Sequence, residues 1–343
     1  MRILLVFFTC LFVSLILTPL LRKLSFVFRL LDHPNGRKIH LKPTPLLGGL
    51  AISIPVLSVI FLLKNTIDSQ MMSIFFASLI IVILGLIDDK IKLSAKLRLF
   101  TQLLVVVILI INSLTLTIFP DNALGLTLRF FFTVIWVVGI INSVNFIDGL
   151  NGLCVGLAFI SSLMFAIIAY FSRQNQILIL SLALCGACLG FLPFNLSGKI
   201  FLGESGSTFL GFLLATLAIM GVWAEDNFVG VCIPVLILGV PIFDMILTTI
   251  MRIKEKKVAS IKEWLEYTGK DHFHHRLVDL GLSPGGAVIF IYLVNICLGI
   301  SAMALLRATW KIAILLIIQA ASIFAMIGVL MVVASRRQSG WGK

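Results

Sequence analysis

Charge is what this chain has least of. Only 12% of its 343 residues are Asp, Glu, Lys or Arg, about half the share of a soluble globular domain, and that class is excluded. Acidic side chains are scarcer still, 15 against 27 basic ones. No Pro- or Ser-rich linker, low-complexity tract or internal repeat interrupts the sequence, so 1–343 reads as a single integral domain. All six cysteines (Cys10, Cys154, Cys185, Cys188, Cys232 and Cys297) fall inside apolar stretches, which leaves no thiolate among the polar segments for zinc. The CxxC spacing of Cys185 and Cys188 reads as small-residue packing in an apolar helix.

Apolar length is what the chain has instead. It is 60% hydrophobic, and eleven stretches approach the roughly 20 residues that span a hydrocarbon core. They are 3–21, 47–64, 71–87, 98–113, 129–147, 152–171, 177–194, 206–223, 228–250, 285–306 and 311–334. Isolated strands would leave backbone groups unsatisfied in lipid, so the predicted class is an all-α polytopic integral membrane protein. Lys and Arg accumulate in cytoplasmic loops. With the N-terminus outside and the C-terminus inside, 21 of the 27 basic residues fall on the cytoplasmic side. The net charge of +12 then fits anionic headgroups and phosphorylated substrates rather than nucleic acid. The first span lacks a small-residue cleavage site and is expected to be retained. Segment 114–128 is expected to form a small external hairpin, and Ile261, Trp264 and Leu265 to line one face of a helix at the membrane surface.

The long polar segments 22–46, 88–97, 195–205 and 251–284 all fall on the cytoplasmic face in this arrangement. So do Asp88, Asp89, Asp148, Glu204 and all five histidines, His33, His40, His272, His274 and His275. Chance would divide them between two sides. Adjacent Asp88 and Asp89 repel one another, which makes a cation or a metal-bound phosphate a natural partner. Asn145, Asp148 and Asn151 stand at i, i+3 and i+6 beside glycines. Glu204 precedes Ser205-Gly206-Ser207 at the start of a helix, whose free N–H groups suit an anion or a metal-bridged phosphate. Oxygen donors of this kind suit Mg²⁺, or Mn²⁺ as a second choice. His272, His274, His275 and Arg276 cluster in DHFHHRL, where imidazoles and an arginine suit a pyrophosphate better than zinc.

Four stretches in order, HLKPTPLLGGLAI at 40–52, GLIDDKIKLSAKLR at 85–98, NFIDGLNGL at 145–153 and KIFLGESGSTFLG at 199–211, followed by HFHHRL at 272–277, resemble the polyprenyl-phosphate N-acetylhexosamine-1-phosphate transferases, a branch of glycosyltransferase family 4. The HxHHR loop resembles the branch that transfers N-acetylglucosamine 1-phosphate to undecaprenyl phosphate. The resemblance implies a bacterial inner-membrane, multi-pass enzyme that joins a UDP-N-acetylhexosamine to a polyprenyl phosphate and releases UMP. A second copy of the chain is left open as a partner. Asp88, Asp89, Asp148 and His272 would be catalytic, with Glu204 and Asp89 at the metal. Lys42, Lys92, Asn145, Asn151, Asn195, Lys199, Phe201, His274, His275 and Arg276 would bind substrate, Phe201 by stacking on uracil.

Two positions depart from the family pattern. Asn151 stands where the family usually has Asp, and Glu204 where it usually has Asp. The extra methylene at 204 moves the carboxylate by about a bond length, roughly 1.5 Å, in a site where Mg²⁺ wants oxygens at about 2.0–2.1 Å. Two other readings compete. Lipid I synthesis from UDP-MurNAc-pentapeptide is disfavoured by Pro43-Thr44-Pro45. An ion-coupled transporter predicts charge near the bilayer midplane, for which Asp244 is the sole candidate, and paired repeats, of which none is visible.

Overall fold

Backbone polar groups of long apolar runs are satisfied within one segment only by a helix, and a computed structural model of the protein is helical nearly throughout. It describes residues 2–34, 42–62, 69–258, 260, 263, 267, 269 and 271–340. The chain divides into two compact units, Met1–Val222 and Trp223–Lys343.

The first unit contains α1 (Arg2–Val27), α2 (Gly48–Leu62), α3 (Ser69–Ile91), α4 (Ala95–Ile111), α5 (Ala123–Ile147), α6 (Leu153–Phe171), α7 (Asn175–Leu196) and α8 (Gly203–Met220). Without water to drive apolar surfaces together, helices in lipid associate where small residues let backbones approach. Thus α1 lies against α7 at Gly186 and Gly190, where added Cβ atoms would meet Phe7 O at 2.2 Å and Leu11 O at 2.3 Å. Ser14 Oγ donates to Ala187 O at 2.9 Å across the same seam. The start of α8 is wedged in the same way: a Cβ on Gly85 of α3 would fall 2.3 Å from Ser205 Cα, and one on Gly49 of α2 2.4 Å from Gly206 N.

Two two-residue strands, β1 (Leu31–Asp32) and β2 (Thr44–Pro45), pair antiparallel. Beyond them the chain binds the loop before α8: Phe201 N donates to Pro45 O at 2.8 Å, and Gly49 N to Leu202 O at 2.8 Å. Apolar periodicity carried no sign of this small ladder.

The second unit contains α9 (Asn227–Ile237), α10 (Gly239–Lys254), α11 (Phe273–Asp279), α12 (Pro284–Ala304) and α13 (Trp310–Gly340). Phe243 of α10 stacks on Phe324 of α13 with centroids 4.2 Å apart.

The protein is an all-α polytopic membrane protein, and three expectations need amendment. Among the described residues eight helices are long and apolar enough to cross a membrane, or nine counting α9 and α10 as one broken span, rather than eleven. The shortfall lies in α2 and α4, which have 15 and 17 residues. The expected continuous span 228–250 is bent by 77° between α9 and α10, where Pro234 and Pro241 remove donors on either side of Leu238. Segment 114–128 is not a hairpin: α5 starts at Ala123, and Arg129 holds the preceding loop through Phe119 O at 2.9 Å and Asp121 at 2.8 Å. Ile261, Trp264, Leu265 and His40 lie outside the described residues.

Candidate active site

In the first unit, four carboxylates gather where the C-termini of α3 and α5 meet the N-terminus of α8. Asp88 and Asp89 are both buried in the last turn of α3. Asp89 faces α8 and closes it. Its Oδ1 accepts from Glu204 N at 2.8 Å, and its Oδ2 from Ser205 N at 3.2 Å and Ser205 Oγ at 3.0 Å. The first N–H groups of a helix have no partner within it and carry its positive dipole end, which a carboxylate answers. Gly203, at φ +73°, makes the turn that allows this, because a Cβ there would sit 2.6 Å from Asp89 Oδ2.

Asp88 turns the other way. Its Oδ1 accepts from Leu93 N and its Oδ2 lies 3.7 Å from Arg98. The chain makes this turn with Lys92 in the left-handed region at φ 54°, an uncommon conformation for a non-glycine residue that clusters at functional sites. The same Arg98 nitrogen lies 3.7 Å from Glu204 Oε1, so one guanidinium faces both carboxylates. Asn145 Nδ2, at the end of α5, donates to Glu204 Oε2 at 2.6 Å and to Ser207 Oγ at 3.1 Å. Asp148 follows as the C-cap of α5 and keeps part of its side chain exposed. Desolvation, then the charges of Glu204 and Asp89, push its carboxyl up to about 7.

Around this cluster the remaining predicted residues fall into two groups. Lys42, Lys92, Asn151 and Lys199 are exposed and Phe201 is half-buried. Asn195 is buried and serves the fold: its Oδ1 accepts from Gly152 N at 2.9 Å and its Nδ2 donates to Ile200 O at 3.1 Å, tying the 149–152 turn to the loop before α8. Asn151 reaches the same loop, its Nδ2 lying 3.0 Å from where a Cβ on Gly198 would stand.

The HxHHR loop lies in the second unit on a buried ionic network. Asp271 accepts both Arg252 Nε and an Arg252 terminal nitrogen at 2.8 Å. Burial raises the proton affinity of Asp271, yet this bidentate pairing and the nearby His272 hold its carboxyl below the usual range. His272 Nδ1 lies 2.9 Å from Asp244 Oδ2 and its Nε2 3.3 Å from Arg252. Both nitrogens of the predicted catalytic His272 thus face protein groups. His274 is 1% exposed, and among the described residues neither of its ring nitrogens has a hydrogen-bond partner. Burial first, then the charges of His275 and His272 against the opposing Asp244, pull it down to about 3, so its ring is neutral at pH 7. His275 and Arg276 keep partial exposure, with Arg276 Nε donating to Asp271 O at 2.9 Å.

The sequence reading did not single out Arg98, Arg252 or Asp271 as site residues. Arg98 ends the stretch GLIDDKIKLSAKLR, and its signal in the sequence is a charge that follows two aspartates by about one loop.

A family model described as "Glycosyl transferase family 4" matches residues 71–222. A Bacillus subtilis protein described as a probable undecaprenyl-phosphate N-acetylglucosaminyl 1-phosphate transferase is 37% identical over 324 residues, covering 92% of this chain and 88% of its own. The chain belongs to glycosyl transferase family 4. A further relative, the undecaprenyl-phosphate alpha-N-acetylglucosaminyl 1-phosphate transferase of Thermotoga maritima, is 30% identical, over 83% of this chain and 92% of its own. A phospho-N-acetylmuramoyl-pentapeptide-transferase from Staphylococcus saprophyticus is 33% identical, over a shorter 60% of this chain and 71% of its own. The family model covers α3 to α8 and therefore the whole carboxylate cluster.

Among the described residues no three His, Cys, Asp or Glu side chains stand ready-made around a metal position. The oxygens of the cluster nevertheless fit Mg²⁺, which keeps several waters and takes one or two carboxylates plus substrate phosphates rather than a protein cage. Glu204, with Asp148 close enough to feel its charge and the Asn145 amide against it, supplies such a set. Asp89, whose oxygens are both occupied at α8, suits the positioning of Glu204 better than direct ligation.

Proposed function

We propose that the protein transfers N-acetylglucosamine 1-phosphate from UDP-N-acetylglucosamine to undecaprenyl phosphate. An oxygen of the acceptor phosphate bonds to the β-phosphorus of the UDP-sugar as the bond to the UMP oxygen breaks, giving UMP and an undecaprenyl-diphospho-sugar. The single observation that carries this reading is the meeting of Asp88, Asp89, Asn145 and Glu204 at the start of α8, with Arg98 between two of the carboxylates. The relatives' names support the acceptor and the sugar. The match to the pentapeptide transferase, covering less of this chain, leaves lipid I synthesis the second reading.

The acceptor is a phosphomonoester, and with a second pKa near 6 it is mostly dianionic at pH 7. Removing its proton therefore gains little, and the chain's contribution is alignment and charge placement. Arg98 faces the phosphates while Asp88 and Glu204 hold it in place. Asp89 fixes the helix start that carries Glu204. Glu204, with Asn145 and Asp148, would hold Mg²⁺, which neutralises charge developing on the diphosphate. Lys42, Lys92 and Lys199 are exposed cations suited to phosphate oxygens, and Phe201 offers a ring for uracil. His275 and Arg276 are the accessible part of the HxHHR loop.

The reading places the membrane-spanning helices in a bacterial inner membrane, with the N-terminus outside and the site at the cytoplasmic face. Incubating purified protein with undecaprenyl phosphate, Mg²⁺ and a panel of UDP-sugars, and measuring UMP, tests it. UMP release with UDP-N-acetylglucosamine is expected. Release only with UDP-MurNAc-pentapeptide selects the second reading, and release with none overturns both.

A further inference from the structure

Asp244 is an acidic side chain with no surface exposure inside an apolar segment. Such a residue is expensive to bury and usually marks a function. It stands on the same face of α10 as Thr248 and Arg252, one and two turns on, and all three turn toward the segment that starts the HxHHR loop. Asp244 Oδ1 accepts from Phe273 N and faces Thr248 Oγ1 at 3.5 Å; its Oδ2 lies 2.9 Å from His272 Nδ1. On the other side of the imidazole, Nε2 faces Arg252 at 3.3 Å. A guanidinium can only donate, so Nε2 must accept, which places the ring proton at Nδ1, pointing at Asp244. Arg252 is in turn fixed by its two bonds to Asp271, the residue before His272. Every rotation of His272 therefore breaks a bond to one of two buried charges.

We infer that Asp244 is a positioning residue of the transferase: it sets the tautomer and orientation of His272 and pins the backbone at Phe273, so that His275 and Arg276 are held in one geometry for a substrate phosphate. The inference rests on the function proposed above, and it gives Asp244 a task other than ion transport. A buried carboxylate that orients an imidazole whose neighbours meet a substrate has the same logic as outer groups that orient a metal-binding histidine.

Asp244→Asn separates orientation from packing. The amide is the same size and its Oδ1 still accepts from Phe273 N, but its NH₂ then meets the Nδ1–H of His272 donor to donor, while Arg252 bars the proton from Nε2, so the ring must turn from its parent orientation. Expected are a thermal midpoint in detergent close to the parent's and a kcat for UMP release lower by about 10- to 100-fold. KM for undecaprenyl phosphate should stay unchanged. Because Asp244 acts through His272, Asp244→Asn/His272→Gln should lose no more than His272→Gln alone. Selective ¹⁵N labelling of histidine supplies a readout that needs no variant: in the parent, the unprotonated nitrogen of His272 should be Nε2. Turnover within two-fold of the parent, losses that multiply in the double variant, or a parent ring with its proton on Nε2 would each overturn the proposal. A parent that releases no UMP from any UDP-sugar sinks the proposed function instead, and the tautomer still decides whether Asp244 orients His272.

Discussion

Asp89 caps the helix that carries Glu204 in its first turn, using both carboxylate oxygens on backbone N–H groups of α8. One acidic residue thus fixes the position of another, across the join of two membrane helices.

Asp89→Asn should expose this dependence. The amide keeps one acceptor and turns a donor toward the Ser205 N–H or Oγ, leaving a buried donor unmatched at a cost of about 1–3 kcal/mol. Glu204 loses its register, and displacement of a site group by about 1 Å costs roughly 100-fold in rate. A lower unfolding temperature in detergent and a fall in UMP release of that order are expected. Full turnover in this variant would show that the site has been misassigned.

Gly203→Ala and Gly198→Ala should differ. Both glycines have positive φ, +73° and +63°, so either alanine is strained by roughly 1 kcal/mol. At 203 the new methyl also meets Asp89 Oδ2 at 2.6 Å and Leu46 O at 2.7 Å, whereas at 198 it meets only the movable amide of Asn151 at 3.0 Å. Gly203→Ala should therefore unfold at the lower temperature, and it alone should abolish activity. The reverse order would contradict the packing at α8.

Glu204→Gln should leave Arg98 facing Asp88 alone and remove the charge offered to a divalent ion. We expect UMP release to fall by at least 10-fold and its dependence on Mg²⁺ concentration to move upward by a similar factor. Glu204→Asp should retain activity with an altered ratio of Mg²⁺ to Mn²⁺ turnover, since the carboxylate is set back by about 1.5 Å. Metal titrations of both variants check this. A Glu204→Gln variant with the parent's metal dependence would remove Glu204 from the ion.

Stability should fall as pH drops from neutral, and His274 should account for part of the fall. Its folded proton affinity is pulled to about 3 against an ordinary 6.5. Between those values the unfolded chain binds a proton that the folded chain does not. Stability is then lost as pH falls, by roughly 1.4 kcal/mol per pH unit across that window. His274→Leu should unfold with a smaller difference between pH 7 and pH 5 than the parent. An equal or larger difference would mean that His274 is charged when folded.

Segment length and composition made the membrane class legible, because nothing but a helix closes its own hydrogen bonds in lipid. Side-chain periodicity could not reveal the 77° break at Leu238, since the run stays apolar through it. Pro234, Gly239 and Pro241 were the available signal. Asp88, Asp89, Asn145 and Glu204 were legible as a site because polar groups at apolar segment ends are few. Their division of labour was not. Asp89 as a cap, Asn195 as an internal tie and His272 as a buried link each depend on which way a side chain turns, and spacing along the chain does not encode that.

The two residues joined at the start of α8 are separated by 115 positions. During synthesis Asp88 and Asp89 therefore enter the membrane with α3 long before the segment that they complete has been made. Four further helices intervene. Two neighbouring carboxylates remain without the backbone amides that satisfy one of them until α8 arrives, so any product of premature termination before residue 203 is bound to be inert and poorly closed at that end. Maturation of the enzyme is thus timed by its eighth helix.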